Sequence, residues 1–336
     1  MPHHTPSFVG RVAELRELRN VLAIDRPEGT VAVVQSAFPG IGKSALAFEY
    51  AHVFSDNYPG GRWRVRAEGV SDMARAFIRL GRDLGMDITE RDEADPDQAF
   101  RKVRAELQES GGCLLVFDNV DRPDLFQLTG DRALPDADRA HILATPRLER
   151  DLWPTNGTDF EFLPLGALSI EDGLRLLERY RGPDGGDERA AARAIAEALA
   201  SHPFSLEVVG AFLALDANQA TTYRSFYEHE IKAKGLTLSL DAAGGAVTLS
   251  RHDQSVITEL LRHAFAQLHA EERLVLDYAA LMDAEQVILP MLREFAGKDH
   301  STLLEEGATG TADAWNKLIA RLSALRLLTP TDAGEG

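Results

Sequence analysis

Two hydrophobic spacings run along this chain, and the place where one gives way to the other divides it. Leu15, Leu18 and Leu22 recur at helical intervals and predict a helix over Val12 to Leu22. The apolar run Val31 to Val34, preceded by a Pro27-Glu28-Gly29 turn, predicts a buried strand. Leu46, Tyr50, Val53 and Phe54 share one face of a helix that begins at Ser44 and stops at Tyr58-Pro59-Gly60-Gly61. Arg62 to Ala67 predicts a second strand. Ser71 or Asp72 can cap the next helix, on which Met73, Phe77, Leu80 and Leu84 repeat and which Gly85 ends. Phe100, Val103 and Leu107 mark a further helix. Cys113 to Phe117 and His141 to Thr145 read as strands. Strands alternating with helices predict an α/β unit: a parallel sheet with helices on its faces.

Beyond about Phe162 strands stop and the helical period takes over. Helices are predicted at Ile170 to Tyr180, Glu188 to Ser201 and Leu206 to Leu215, with Gly182-Pro183-Asp184-Gly185-Gly186 as the loop between the first two. Ala242 to Gln254 is small and polar and reads as a linker. A last helical group begins near Ser255, with helices at Val256 to Gln267, Glu271 to Met282, Pro290 to Ala296 and Trp315 to Leu325. Leu327-Leu328-Thr329 is placed to start a β-wing. The expected division is 1–160, 161–250 and 251–336.

The 336 residues suffice for two or three domains with their own cores, and 44% hydrophobic with 26% charged residues is ordinary for a globular chain. The formal net charge of −17 argues against a general nucleic-acid or anionic-membrane binder. Cys113 is the single cysteine, so no intrachain disulfide forms and a reducing cytoplasm is the expected location. No apolar run is long enough for a transmembrane helix, and Met1 to Val9 lacks a signal-peptide core.

Chemistry enters at Ala37-Phe38-Pro39-Gly40-Ile41-Gly42-Lys43-Ser44. A strand, a small-residue loop and then Lys-Ser at a helix start form a cradle for a nucleoside triphosphate. Loop N–H groups turn toward phosphate oxygens, and the helix N-terminus adds partial positive charge. Lys43 reaches the β- and γ-phosphates, and the Ser44 hydroxyl coordinates Mg²⁺. The first loop position, usually Gly, is Ala37, whose Cβ must fit without positive φ.

A second motif is Leu114-Leu115-Val116-Phe117-Asp118-Asn119-Val120-Asp121. An acid ending a buried strand needs a partner. Beside a phosphate loop, Asp118 is placed to bind Mg²⁺ through its water shell. A hydrolytic site often carries a second acid here to orient or deprotonate water. Asn119 cannot take a proton; Asp121 can if the turn brings it inward, and a solvated turn acid is an equal reading. A third candidate, Thr145-Pro146-Arg147, ends a strand on the edge where ligands bind, so Arg147 could meet the γ-phosphate. Spacing alone favours an ordinary surface arginine there. His202-Pro203-Phe204-Ser205-Leu206 interrupts the helical region, and a plain helix joint explains it, since Pro suits a helix's first turn.

Taken in order, Phe8-Val9-Gly10-Arg11, the phosphate loop, Leu115 to Asp121, Thr145-Pro146-Arg147 and His202 to Leu206 resemble the STAND class of signalling P-loop ATPases, and within it the NB-ARC type. Tyr58-Pro59-Gly60-Gly61-Arg62-Trp63 looks like its bacterial members. The resemblance covers nearly the whole chain. It implies a nucleotide-binding α/β domain, a small helical domain and a winged-helix domain. It also implies that Val9, Gly10 and Arg11 line an adenine pocket. Pro39, Gly40, Ile41, Gly42, Lys43, Ser44 and Ala45 would hold phosphates. Ser44 and Asp118 would hold Mg²⁺, and Arg147 would be a first sensor. Pro203 would match the proline of the family's Gly-Leu-Pro-Leu motif, near the adenine. The other residues of that motif differ here. The family's Met-His-Asp-like motif is not reached before Gly336, so a fragment of a longer protein is expected, one continuing into sensor repeats or an effector domain.

The expected function is an ATP- or ADP-bound switch. Its nucleotide state would control domain closure, self-assembly and partner recruitment, with slow Mg²⁺-dependent hydrolysis. The alternative is an AAA+-like ATPase that grips DNA through the winged helix. Residues 251–336 hold eight Lys and Arg against 14 Asp and Glu, where a DNA-reading face should be basic. A metabolic kinase or hydrolase on the same loop has no acceptor-binding motif to support it.

Overall fold

Alternate residues of a strand point to opposite faces, and in the runs Val31 to Val34 and Cys113 to Phe117 both sets are apolar. That pattern demands a sheet covered on both sides. The computed structural model describes residues 8–22, 31–36, 38–70, 72–126, 134–135, 139–147, 150–153, 159–215, 218, 220–238, 251–282, 287–304 and 313–328. These fall into two compact units that divide after Ser169.

The first unit holds β1 (Val31–Gln35), β2 (Arg62–Arg66), β3 (Cys113–Val120), β4 (Ala140–Pro146) and β5 (Phe160–Pro164). They pair in parallel in the order β2-β3-β4-β1-β5. Val31, Val33, Leu115, Phe117, Ile142 and Ala144 face α3 (Met73–Asp83) and α5 (Pro96–Glu109). Ala32, Val34, Leu114, Val116 and Leu143 face α1 (Val12–Val21) and α2 (Lys43–Val53). Asp72 caps α3 through the Ala74 N–H at 3.0 Å, as its residue type predicts; Ser71 lies outside the described residues. Gly85 follows α3 at φ 76°, a turn that glycine makes without strain. A short α4 (Glu90–Ala94) precedes α5.

β5 is the strand that the apolar pattern missed. It is five residues long, lies at the sheet edge beside β1 and ends in Pro164, which an edge strand tolerates. Phe160 and Phe162 leave its period-2 signal visible, and both pack on Trp153, with ring centroids at 4.9 and 5.7 Å.

The second unit is helical. It comprises α6 (Ile170–Tyr180), α7 (Gly186–Ala198), α8 (Pro203–Ala214) and α9 (Tyr223–Phe226), the last continued by a π-helical segment, Tyr227–Lys232. A Cβ on Gly210 would sit 2.6 Å from the Tyr180 ring, so α6 and α8 approach closely only because that position is glycine. Ala200 and Ser201, at φ 46° and 49°, turn the chain out of α7 while the Ser201 N–H returns to the Ala196 carbonyl at 2.7 Å. Tyr223 Oη donates to the carbonyls of Leu177 in α6 and of Arg181 just past its end, at 3.1 and 2.7 Å.

Four more helices follow: α10 (Arg251–Ala266), α11 (Ala270–Ala279), α12 (Leu289–Asp299) and α13 (Ala314–Ala324). Arg251 to Gln254, expected in a linker, belong to α10. Asp253, Val256, Leu260 and Ala264 form one buried stripe, and the stripe starts with a polar residue that an apolar count passes over. Residues 242–250 of that expected linker lie outside the described residues. Leu327 and Leu328 do not begin a strand. With Arg326 at φ 60°, the N–H groups of Arg326 and Leu327 bond back to Ser323 and Leu322 at 3.0 Å each, closing α13. Thr329 lies outside the described residues, and 251–328 holds no strand among those described.

Candidate functional site

The site gathers where β2, β3 and β4 end, on the face covered by α2. Gly40 and Gly42 adopt φ 73° and 98°, values that L side chains rarely take. Gly42 leads into α2, whose first turn receives no side-chain cap, and a Cβ on Gly42 would meet no atom within 4 Å. Pro39 and Gly40 are exposed while Ile41 is buried under the loop. The result is a helix N-terminus facing open space, the arrangement that attracts an anion. Ala45 sits in the first turn of α2 behind Lys43 and Ser44. Ala37 lies outside the described residues.

Lys43 Nζ reaches back over this loop to the Ser36 and Phe38 carbonyls at 3.4 and 3.3 Å, long contacts for an ammonium. Burial and then the nearby Arg147 hold its pKa below the ordinary lysine value, with Asp118 pulling the other way. A group disfavoured as a cation in this way is one that a bound polyanion would stabilise.

Asp118 is 2% exposed. Leu114, Val116 and Asp118 alternate along β3, so the sheet period itself carries the carboxylate to the α2 face. Asn119 then forms a bulge at φ 58°, a left-handed value that Asn tolerates. Asp118 pairs with Thr145 of β4 in the regular register, and beyond the bulge Val120 pairs with Pro146. Oδ1 of Asp118 accepts hydrogen bonds from Ser44 Oγ and Thr145 Oγ1, both at 2.6 Å. Oδ2 accepts two from Arg64 of β2, Nη2 at 2.6 Å and Nε at 3.1 Å. Thr145 Oγ1 in turn accepts from the Asn119 N–H at 3.2 Å.

The donor set fits a magnesium–nucleotide. A hydroxyl and a carboxylate 2.6 Å apart are hard oxygen ligands, and Mg²⁺ uses one or two such groups plus waters and phosphates. Among the described residues no cluster of three or more His, Cys, Asp or Glu could hold a metal alone.

The remaining predicted residues spread around this centre. Asp121 Oδ2 accepts the Gly69 N–H at 2.8 Å, while its Oδ1 is buried without a hydrogen-bond partner among the described residues. Arg147, half-exposed just past β4, is ion-paired with Glu68, which follows β2. Its own N–H bonds to the Val120 carbonyl at 2.9 Å. Val9 is buried, Gly10 takes φ 64° and Arg11 enters α1 at φ 60°. The buried Arg11 guanidinium donates to the carbonyls of Gly166 at 2.6 Å and Ala167 at 3.2 Å, to that of Ile41 at 3.4 Å, and to Glu14 at 2.9 Å. It therefore clamps the loop to the start of α1 and the end of the sheet. Pro203 belongs to the second unit, where it is the first residue of α8. Behind it the fully buried His202 shares a 2.9 Å hydrogen bond between Nδ1 and Ser205 Oγ.

Sequence reading missed Arg64 and gave no separate role to Thr145. The signal for Arg64 was present: Arg62, Arg64 and Arg66 alternate with Trp63 and Val65, and the latter pair faces the α3 core. One arginine of the polar set had to end near the acid of the neighbouring strand.

No protein-family model matches the chain. It is 27% identical over 220 residues to the regulatory protein AfsR of Streptomyces griseus, a match that covers 64% of this chain and 22% of that protein. The chain thus spans about a fifth of that relative's length. Among solved structures, Cdc6p of Pyrobaculum aerophilum superposes with a TM-score of 0.50 at 12% identity, over 96% of this chain and 88% of that one. A STAND protein with a tetratricopeptide repeat sensor from Pyrococcus horikoshii matches with a TM-score of 0.48 at 16% identity, over 84% of this chain and 36% of that one. The first unit has the P-loop NTPase fold, a five-stranded parallel sheet with helices on both faces, and a helical region follows it.

Proposed function

We propose that this chain binds an adenine nucleotide, ATP or ADP, with Mg²⁺ at Pro39 to Ala45, and that it works as a signalling switch of the STAND class. The observation that carries the reading is the meeting of Ser44, Asp118 and Thr145 within 2.6 Å contacts beside an uncapped helix N-terminus and a half-buried lysine. Lys43 would hold the β- and γ-phosphates, and Ser44 and Asp118 would hold the metal. The metal supplies charge neutralisation at the phosphates. Val9, Gly10 and Arg11 border the base, and Arg147 exchanges Glu68 for the γ-phosphate.

Hydrolysis is slow in this reading. Asp121, the next acid along the chain from Asp118, commits its Oδ2 to the Gly69 N–H. Asn119 cannot serve as a base. Exchange of ADP for ATP then alters domain closure, self-assembly and recruitment of a partner. The second unit is read as a small helical domain followed by a winged-helix domain. AfsR is a regulatory protein by name, which supports a regulatory rather than a metabolic output. The acid excess over 251–336 speaks against a DNA grip.

The test is the nucleotide released when the purified chain is denatured, identified by chromatography. ADP near one per chain, together with turnover far below the usual enzyme median of about 10 per second, supports the switch. A chain that neither retains nor takes up adenine nucleotide refutes it.

A further inference from the structure

Every acceptor position of Asp118 is already filled. An ionised carboxylate offers about four lone-pair sites, and this one receives four donors: Ser44 Oγ, Thr145 Oγ1, Arg64 Nε and Arg64 Nη2. The two oxygens divide the work, since the hydroxyls share Oδ1 and the cation holds Oδ2. A metal-bound water can reach this carboxylate only by displacing one of the four.

Arg64 is not a loosely placed surface side chain. Its side chain is 17% exposed, and its guanidinium carbon lies 5.2 Å from the centroid of the Phe48 ring, one turn along α2 from Ser44. The backbone agrees with the placement. β2 and β3 pair with Arg64 opposite Val116 and Arg66 opposite Asp118, so Arg64 and Asp118 lie diagonally on one sheet face. Arginine also suits the position chemically, because two N–H groups in one rigid plane converge on a single oxygen, which a lysine cannot reproduce.

We propose that Arg64 is the resident counter-ion of Asp118 and sets the metal requirement of the site, so that nucleotide is held almost equally well with and without a divalent cation. The inference rests on the nucleotide-binding reading above and deepens it. A carboxylate beside phosphates repels them unless a cation intervenes. Where that cation is normally the metal, here it is built into β2. Arg64 is thus a positioning and specificity-determining residue, and its removal returns the task to Mg²⁺.

The experiment titrates the 336-residue chain into fluorescent mant-ADP, once in millimolar Mg²⁺ and once in EDTA, for wild type, Arg64→Gln and Arg64→Lys, with circular dichroism to confirm folding. The wild type is expected to lose less than about threefold in affinity in EDTA. Arg64→Gln is expected to lose roughly 10- to 100-fold, the scale of one charge-assisted hydrogen-bonded contact. Arg64→Lys keeps the charge without the planar pair of donors and falls between them; it decides the matter if the Gln variant fails to fold. A wild type that loses more than threefold, or variants that keep the wild-type ratio, overturns the role given to Arg64 while leaving the nucleotide site intact. A wild type that binds mant-ADP in neither buffer overturns both.

Discussion

Replacing Lys43 by Met removes the ammonium while keeping an unbranched stem. Among the described residues Nζ makes long contacts of 3.3 and 3.4 Å to loop carbonyls, and burial with Arg147 nearby holds its pKa low. Little native stabilisation is therefore lost. The sign of the pH effect follows. A lysine whose folded pKa lies below the ordinary value of 10.5 leaves the unfolded chain binding more protons between the two values. Its destabilising contribution is full below the folded pKa and fades as pH rises toward 10.5. The Met variant should melt at or above the wild-type temperature at neutral pH and lose that alkaline gain. Nucleotide binding moves the opposite way. Two charge-assisted contacts to phosphate, at about 1.5 kcal/mol each at the low end of their range, sum to about 3 kcal/mol, or roughly 100-fold in Kd. Calorimetric titration with Mg–ADP measures the affinity, and scanning calorimetry across pH 7 to about 10 measures the stability. Unchanged ADP affinity would refute the phosphate role of Lys43. A sharply less stable Met variant would show the ammonium to be a structural group instead.

Asp118→Asn should destabilise the chain by about 3 kcal/mol, the low end for breaking a buried pair because Arg64 is partly exposed. In urea denaturation Arg64→Gln/Asp118→Asn should be less destabilised than the two single changes added, and strict additivity would show the pair to be uncoupled. Arg147→Ala removes the ion pair to Glu68 at an exposed site, so stability should change by under about 1 kcal/mol. Its preference between ATP and ADP should narrow, and preserved discrimination would make Arg147 a surface residue. Burial pushes the Cys113 thiol up to about 12. Native chain should therefore resist iodoacetamide at pH 8 and label only in denaturant; rapid native labelling would mean that β3 opens.

How much of this was legible depends on whether a residue declares its partner locally. The phosphate loop did, because glycine at positive φ, Lys and Ser at a helix start are dictated by neighbours within a few positions, as Gly40, Gly42 and the start of α2 show. Asp118 declared itself as an acid ending an apolar strand. Its partners could not be named, because Thr145 and Arg64 lie 27 and 54 residues away and meet it only through strand order. Once β2 and β4 flank β3, the period-2 alternation of each strand fixes which side chains share the α2 face. Alternation in Arg62 to Arg66 gave the face and left the register open, and register decides whether Arg64 or Arg66 meets the acid. A shift of two residues would keep the face and change the arginine. The helical half shows the converse limit. The first turn of α10 carries Asp253, a polar residue buried with Val256, and α13 ends at an arginine at φ 60° that bonds Tyr180 Oη at 3.0 Å. Neither signal exists until distant segments are brought together. The counter-ion inferred for Asp118 belongs to the same class: a site whose chemistry is written in two strands and becomes one sentence only when the sheet is assembled.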